Sequence, residues 1–328
     1  MVNDPPLPRE VTAKFHLPAD LPEGPIHWTV TNSAGGGPWG VFYVGHHREL
    51  VEEAPGEMTL NSSELPAVIN GTLLRIEEVD RYRIRAEQTG LISCELFARR
   101  LGSDFHGAVE VADGSGVRVA SAFDTEGLDP TVTFPAVAGQ TYTVSVRDLD
   151  YRGYRSSTYR LSISRGPRVL ATLPAHGRRG ETRHVEFIGV GVATGGNHIE
   201  SVHREVAFPL EPGRRAMDYR LQTPHGEALP FSIPLSDLEE SVDPADSPTE
   251  NRHLKPSAAV TGRLHESGGR ERYTIRCTKG DRLKISARSC FTGAPLDLAL
   301  AFLDADGKEI ASNDDAPGTT DPLLVVAP

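Results

Sequence analysis

At 328 residues the chain has room for two to four domains, since single cores seldom grow past roughly 250 residues, and its 38% apolar and 24% charged residues are too apolar for disorder. A formal net charge of −11 argues against nucleic acid as a partner, because phosphate backbones are held by clustered Lys and Arg; Arg99-Arg100, Arg178-Arg179 and Arg214-Arg215 read as scattered solvated surface. Three cysteines, Cys94, Cys277 and Cys290, exclude a disulfide framework, and no stretch approaches the roughly 20 apolar residues of a membrane span.

Residues 1–64 open with strand-like stretches at 11–17, 27–31 and 41–44. A proline-spaced loop (18–25) and a glycine-rich one (32–40) separate them. The run Ser33-Ala34-Gly35-Gly36-Gly37 is a loop and no phosphate cradle, because no Lys-Ser/Thr and no helix follow it. His46-His47 point to opposite sides of any strand and read as solvated surface. Residues 52–65 form a polar linker. After it come strands at 66–73 and 81–85, then an apolar strand, an Asp/Gly turn, a second strand and an acidic loop over 103–130. Two closing strands, 139–148 and 158–163, complete this part. Residues 236–256 are rich in Asp, Glu, Ser and Pro and read as a flexible acidic hinge. In 282–288, Leu283, Ile285 and Ala287 alternate with Arg282, Lys284, Ser286 and Arg288, the pattern of a half-buried strand. No window carries a helical period.

The chain repeats itself. Asp113, Gly116, Ala120, Ser121 and Asp124 return as Asp304, Gly307, Ala311, Ser312 and Asp315, each 191 positions later (304 − 113), and Asp129-Pro130 returns one residue out of step as Asp321-Pro322. Trp28 and Gly35 correspond to Tyr219 and Gly226, and Arg81-Tyr82 to Arg272-Tyr273. The second copy stops before the closing strands, and the first lacks what precedes residue 11. Both terminal modules are therefore expected to be incomplete parts of a longer protein, and the absence of a signal peptide carries little weight.

Asn70-Gly71-Thr72-Leu73, the strand Asp80 to Ile84, the Asp/Gly hairpin, Asn313-Asp314-Asp315, Asp321-Pro322 and the closing Gly-x-Thr-Tyr-x-Val with Tyr159-Arg160-Leu161 resemble the bacterial pre-peptidase C-terminal domain. The stretch Pro167 to Pro174, with Gly177 and Arg179-Gly180-Glu181, is similar to the opening of a TIG-type immunoglobulin-like domain. The resemblance implies an all-β chain of tandem antiparallel β-sandwiches, jelly-roll-like modules alternating with immunoglobulin-like ones. The boundaries expected are 1–64, 65–165, 166–255 and 256–328. It further implies a non-catalytic, exported protein, at the cell surface or outside the cell, serving as spacer or binding module for polysaccharide, extracellular protein or neighbouring domains. The alternative is the ancillary region of a secreted peptidase whose catalytic domain lies elsewhere.

Some members of that family bind calcium through linker acids and acids before the second strand. Carried over by position, this makes Glu52, Glu53, Glu77 and Asp80 the candidate calcium ligands, with Gly56 where the usual Asn would stand and only Glu250, Asn251 and Glu271 in the second copy. Asp304-Ala305-Asp306-Gly307 lacks the spacing of an EF-hand and reads as a turn. His198 and His203, five apart, diverge in a strand and are not converging metal ligands. Trp39, Tyr151 and Tyr154 are the candidate aromatic contacts for a ligand. No nucleophile stands beside a base in any recognisable motif.

Overall fold

The computed structural model describes residues 12–18, 21, 23–33, 35–37, 39–52, 57–103, 105–123, 129–243, 252–264, 266, 268–289, 296–317, 319 and 321–327. Among them the chain is all β, with two short 3-10 turns, Ser62–Glu64 and Arg99–Leu101, beside the strands. No helix in that set is long and apolar enough to cross a membrane.

The middle of the chain builds two five-stranded sheets. One runs in the order Arg118–Phe123, Gly107–Ala112, Thr141–Asp148, Asp80–Arg85 and Glu57–Asn61; the other runs Thr131–Ala136, Gly90–Phe97, Thr158–Arg165, Ala67–Thr72 and Arg48–Val51. Alternation sets their inner faces. In Asp80–Arg85, Asp80, Tyr82 and Ile84 are buried and the three arginines exposed; in Thr141–Asp148, Tyr142, Val144 and Val146 turn inward. Side chains from both sheets, Tyr82, Ile84, Val109 and Val144 with Ile69, Leu96, Phe134 and Leu161, meet in one core. Each such burial stabilises the fold by roughly 1.5 to 3 kcal/mol.

Two segments that read as first-domain tail and polar linker join these sheets. Arg48–Val51 pairs in parallel with Ala67–Thr72, and Glu57–Asn61 in parallel with Asp80–Arg85. The second sheet also departs from alternation, since Gly90–Phe97 and Thr158–Arg165 are buried on both faces. Its outer face is covered: Arg160 donates to Glu49 at 2.7 Å and lies over the Tyr43 ring at 4.5 Å.

Residues 166–243 form two three-stranded sheets. Arg168–Leu173, Thr182–Val190 and Ile199–Ala207 make one, and Gly177–Arg178, Phe231–Ser236 and Ala216–Tyr219 the other. Val185, Phe187, Val206, Leu221 and Ile233 share a second core, with Phe187 stacked on Tyr219 at 4.9 Å.

The duplication extends to strand register. Trp28 stands opposite Gly40 as Tyr219 stands opposite Phe231, and Arg48 opposite Ala67 as Glu239 opposite Ala258. The bulge after Val111 returns after Phe302. Each correspondence spans 191 positions (302 − 111).

Residues 256–328 are the part expected to be a truncated module. Among the described residues its strands pair only in twos: Glu239–Val242 with Ala258–Thr261, His253–Leu254 with Thr274–Ile275, Leu283–Ser286 with Leu323–Val326, and Leu300–Leu303 with Glu309–Asn313. These four pairs are the two sheets of the first copy with their central strands, Thr141–Asp148 and Thr158–Arg165, taken out. Each of those strands bridges two pairs in the first copy.

Candidate functional site

Glu52, Asp80, Tyr82 and Tyr159 come together inside the first module. Asp80 opens the strand Asp80–Arg85, and Glu52 follows Arg48–Val51, held there by its amide donating to the Asn70 carbonyl at 3.0 Å. The Tyr159 hydroxyl meets Asp80 Oδ2 at 2.6 Å, the two phenol oxygens are in close hydrogen-bond contact, and the Tyr82 hydroxyl donates to Glu52 Oε2 at 3.0 Å. Glu52 Oε1 accepts from the Thr72 amide at 2.5 Å. Gly71 makes room for this: a Cβ there would lie 2.3 Å from the Tyr159 ring and 2.8 Å from Glu52 Oε2.

The contacts close on themselves: the Tyr159 hydroxyl also lies 3.4 Å from Glu52 Oε2, and Asp80 is hydrogen-bonded to Glu52, a meeting of two carboxyls that requires a proton on one of them. Burial pushes the Asp80 carboxyl up to about 7 despite the opposing Tyr159 hydrogen bond, and the charges of Glu52 and Glu78 push the same way. Burial also holds both phenols above the ordinary tyrosine range, so they remain neutral.

The second copy solves the same problem with a cation. Asp243, Glu271 and Tyr273 stand where Glu52, Asp80 and Tyr82 stand in the first. Tyr273 donates to Asp243 at 3.0 Å, and the Arg252 guanidinium bridges Asp243, at 2.5 Å, and Glu271.

Of the calcium set expected from the resemblance, Glu52 and Asp80 come together, their oxygens engaged by phenols and an amide. Glu77 sits exposed at φ 65° with its amide donating to the Tyr151 carbonyl at 2.9 Å. Glu53, Glu250 and Asn251 lie outside the described residues. Calcium takes six to eight oxygens, and among the described residues no three His, Cys, Asp or Glu side chains converge to hold a metal ion.

The aromatic candidates divide. Tyr151 and Tyr154 share the loop between Thr141–Asp148 and Thr158–Arg165, 45% and 58% exposed. Trp39, 72% exposed, belongs to the loop before Gly40–Val44. The tyrosine loop is fixed at both ends. Asp148, buried, accepts from the amides of Asp150 and Arg152 at 2.9 and 3.0 Å and from that of His106 at 2.9 Å. Gly153 packs so tightly on Arg75 that a Cβ would lie 1.9 Å from its carbonyl oxygen. The Arg147 guanidinium lies over the Tyr151 ring at 4.6 Å. The turn this loop rests on exposes Leu74 and Ile76, which sequence reading missed because nothing in their own segment marks them as neighbours of residue 151.

Two surface readings are corrected. His47 is half-buried and its Nε2 lies 2.6 Å from Arg220, which holds Glu23 with both oxygens. Arg179 donates to the Arg214 carbonyl at 2.6 Å, so those two arginine pairs meet beside a cleft of about 390 Å³. His198 and His203 do not converge: His198 pairs with Glu200 at 3.3 Å, while His203 stands opposite Glu186.

No family model and no curated protein matches the sequence. Among solved structures, the chain is similar to the pre-peptidase C-terminal domain of a collagenase from Bacillus anthracis, at 18% identity and a TM-score of 0.28, over 34% of this chain and 100% of that one. A likeness at that score carries no functional argument.

Proposed function

We propose that this chain is a non-catalytic run of β-sandwich modules from an exported bacterial protein, immunoglobulin-like units alternating with pre-peptidase C-terminal-like ones. It holds polysaccharide on the tyrosine loop of its first complete module. The observation that supports this reading is the loop itself: Tyr151 and Tyr154 are left in solvent on a backbone pinned by Asp148 and by the Gly153 contact with Arg75. Exposed rings on a rigid loop stack on sugar faces with little ordering cost. The buried carboxyls of Asp80 and Glu52 are bound up with phenols, which favours a structural role for them over a catalytic one.

Affinity electrophoresis of the whole chain through gels containing a panel of neutral and acidic polysaccharides tests the proposal. Retardation by at least one polymer is expected, lost in Tyr151→Ala and Tyr154→Ala variants whose melting temperature is unchanged. Free migration of the unaltered chain through every gel would leave the module a spacer.

A further inference from the structure

We infer, on the polysaccharide reading above, that the polymer is acidic and lies across the outer face of the sheet Arg118–Phe123, Gly107–Ala112, Thr141–Asp148, Asp80–Arg85 and Glu57–Asn61. Arg81, Arg83 and Arg85 follow one another along that face, all exposed and roughly 7 Å apart, because every second residue of a strand points the same way. Arg118, also exposed, stands in the row of Arg83, reached across Thr143 and Ala112. Arg147 follows Ser145 on the neighbouring strand, and its guanidinium over the Tyr151 ring joins this face to the tyrosine loop. The outer face of the other sheet is closed where Glu49 and Tyr43 cover Arg160, whereas Arg81, Arg83, Arg85 and Arg118 stand in solvent.

Charge decides the partner. The chain carries a formal net charge of −11, yet these arginines gather on one face of it. The acidic positions in the same face are Glu110, which pairs with Arg147 at 3.2 Å, and Glu57, opposite Arg81 in the register. Among the described residues Arg81, Arg85 and Arg118 make no ion pair, and Arg81 donates to the Val79 carbonyl at 3.3 Å. Arg81 and Arg85 return 191 positions later as Arg272 and Arg276 (272 − 81), so the duplication keeps basic side chains where neither a turn nor core packing requires them. A nucleic-acid duplex, with a charge about every 1.7 Å, is far denser than this row and is repelled by the chain as a whole. A polysaccharide with a carboxylate on each sugar or on every second one spreads its charge more thinly, and each guanidinium fork takes a carboxylate through two hydrogen bonds. The half-buried Thr141, Thr143 and Ser145 beside the arginines offer hydroxyls to the sugars.

The test titrates the whole chain with polygalacturonate and with the same polymer after methyl esterification, at low and at physiological salt. Polygalacturonate is expected to bind on the order of tenfold or more tighter than the ester, and to weaken as salt rises. Arg81→Ser, Arg85→Ser and Arg118→Ser combined should lower that affinity about tenfold at an unchanged melting temperature, while Arg178→Ser, on the other module, should leave it as it is. If the combined variant melts lower, Arg85→Glu alone serves, and should bind more weakly than Arg85→Ser. Equal affinity for the ester overturns the charge while leaving a polysaccharide on Tyr151 and Tyr154 standing. An equal loss in Arg178→Ser overturns the face, and tighter binding of single-stranded DNA than of polygalacturonate gives it to a nucleic acid. If neither polymer binds, the inference is overturned, and retardation in gels of neutral polysaccharide still shows whether the tyrosine loop holds a sugar.

Discussion

Asp113 and Asp304 do the same work 191 residues apart. Asp113 Oδ1 accepts from the amides of Ser115 and Val117 at 2.9 and 3.0 Å, and Asp304 Oδ1 from those of Asp306 and Lys308 at 3.0 and 2.9 Å. The glycines that close the two turns, Gly116 and Gly307, have φ of 85° and 82°. A Cβ at either would meet nothing within 4 Å, so the left-handed backbone alone demands glycine. Gly116→Ala should lower unfolding free energy in urea by about 1 kcal/mol, and Gly116→Asn by less. A change within error would show that the turn relaxes.

Asp80 makes stability depend on pH. Folded, it keeps its proton to about pH 7; unfolded, it releases it near the ordinary value of 3.8. Between those limits the folded state binds more protons, so this contribution to stability falls as pH rises and stays low above pH 7. Asp80→Asn supplies a permanent N–H donor in place of the carboxyl proton. The variant should melt higher than the parent at pH 8 and about level with it at pH 4. A variant that melts lower at both pH values would remove the shared-proton account. Calcium should shift neither melting curve.

The two glycines beside the clusters should differ in their tolerance of a methyl group. At Gly71 a Cβ would press within 2.3 Å of the Tyr159 ring, while at Gly262 the nearest atom, the Tyr273 hydroxyl, is 3.0 Å away. Gly71→Ala should destabilise by about 2 to 3 kcal/mol, and Gly262→Ala by less than 1. Equal losses in chemical denaturation would mean that the first cluster yields more than its geometry indicates.

Asp129, with its side chain fully buried, ties the turn at Arg99–Leu101 to the acidic loop. It accepts from the Arg99 and Arg100 amides at 2.8 and 3.2 Å and pairs with the Arg100 guanidinium at 3.0 Å. Asp129→Ala leaves the two amides without their acceptor and should cost about 2 to 3 kcal/mol. Asp129→Asn, which keeps an oxygen for them, should cost about half as much in the same urea titration.

The repeat was legible because turns restrict residue choice: Asp113, Gly116 and Asp129 serve backbone geometry that few side chains can serve. Strand alternation was legible at Asp80–Arg85, where one face meets solvent. It fails at Thr158–Arg165, where Arg160 has the look of an outward residue until Glu49 and Tyr43 are seen to cover it. The Asp80 cluster could be half read. Position marked Glu52 and Asp80, but nothing in sequence says that Tyr159, 79 residues away, arrives to take the place a cation would need. Glu77 stands on a left-handed turn, φ 65°, which the strand pattern around it does not announce.

The parallel attachment of Arg48–Val51 and Glu57–Asn61 to different sheets has a mechanical consequence. Arg48–Val51 and Glu57–Asn61 are the outer strands of the two sheets, and the exit strand, Thr158–Arg165, lies beside Ala67–Thr72 within one of them. Arg48 and Ile163 both stand opposite Ala67, so the chain enters and leaves this sheet at the same end, and a pull along the polypeptide would work on the hydrogen bonds from that end.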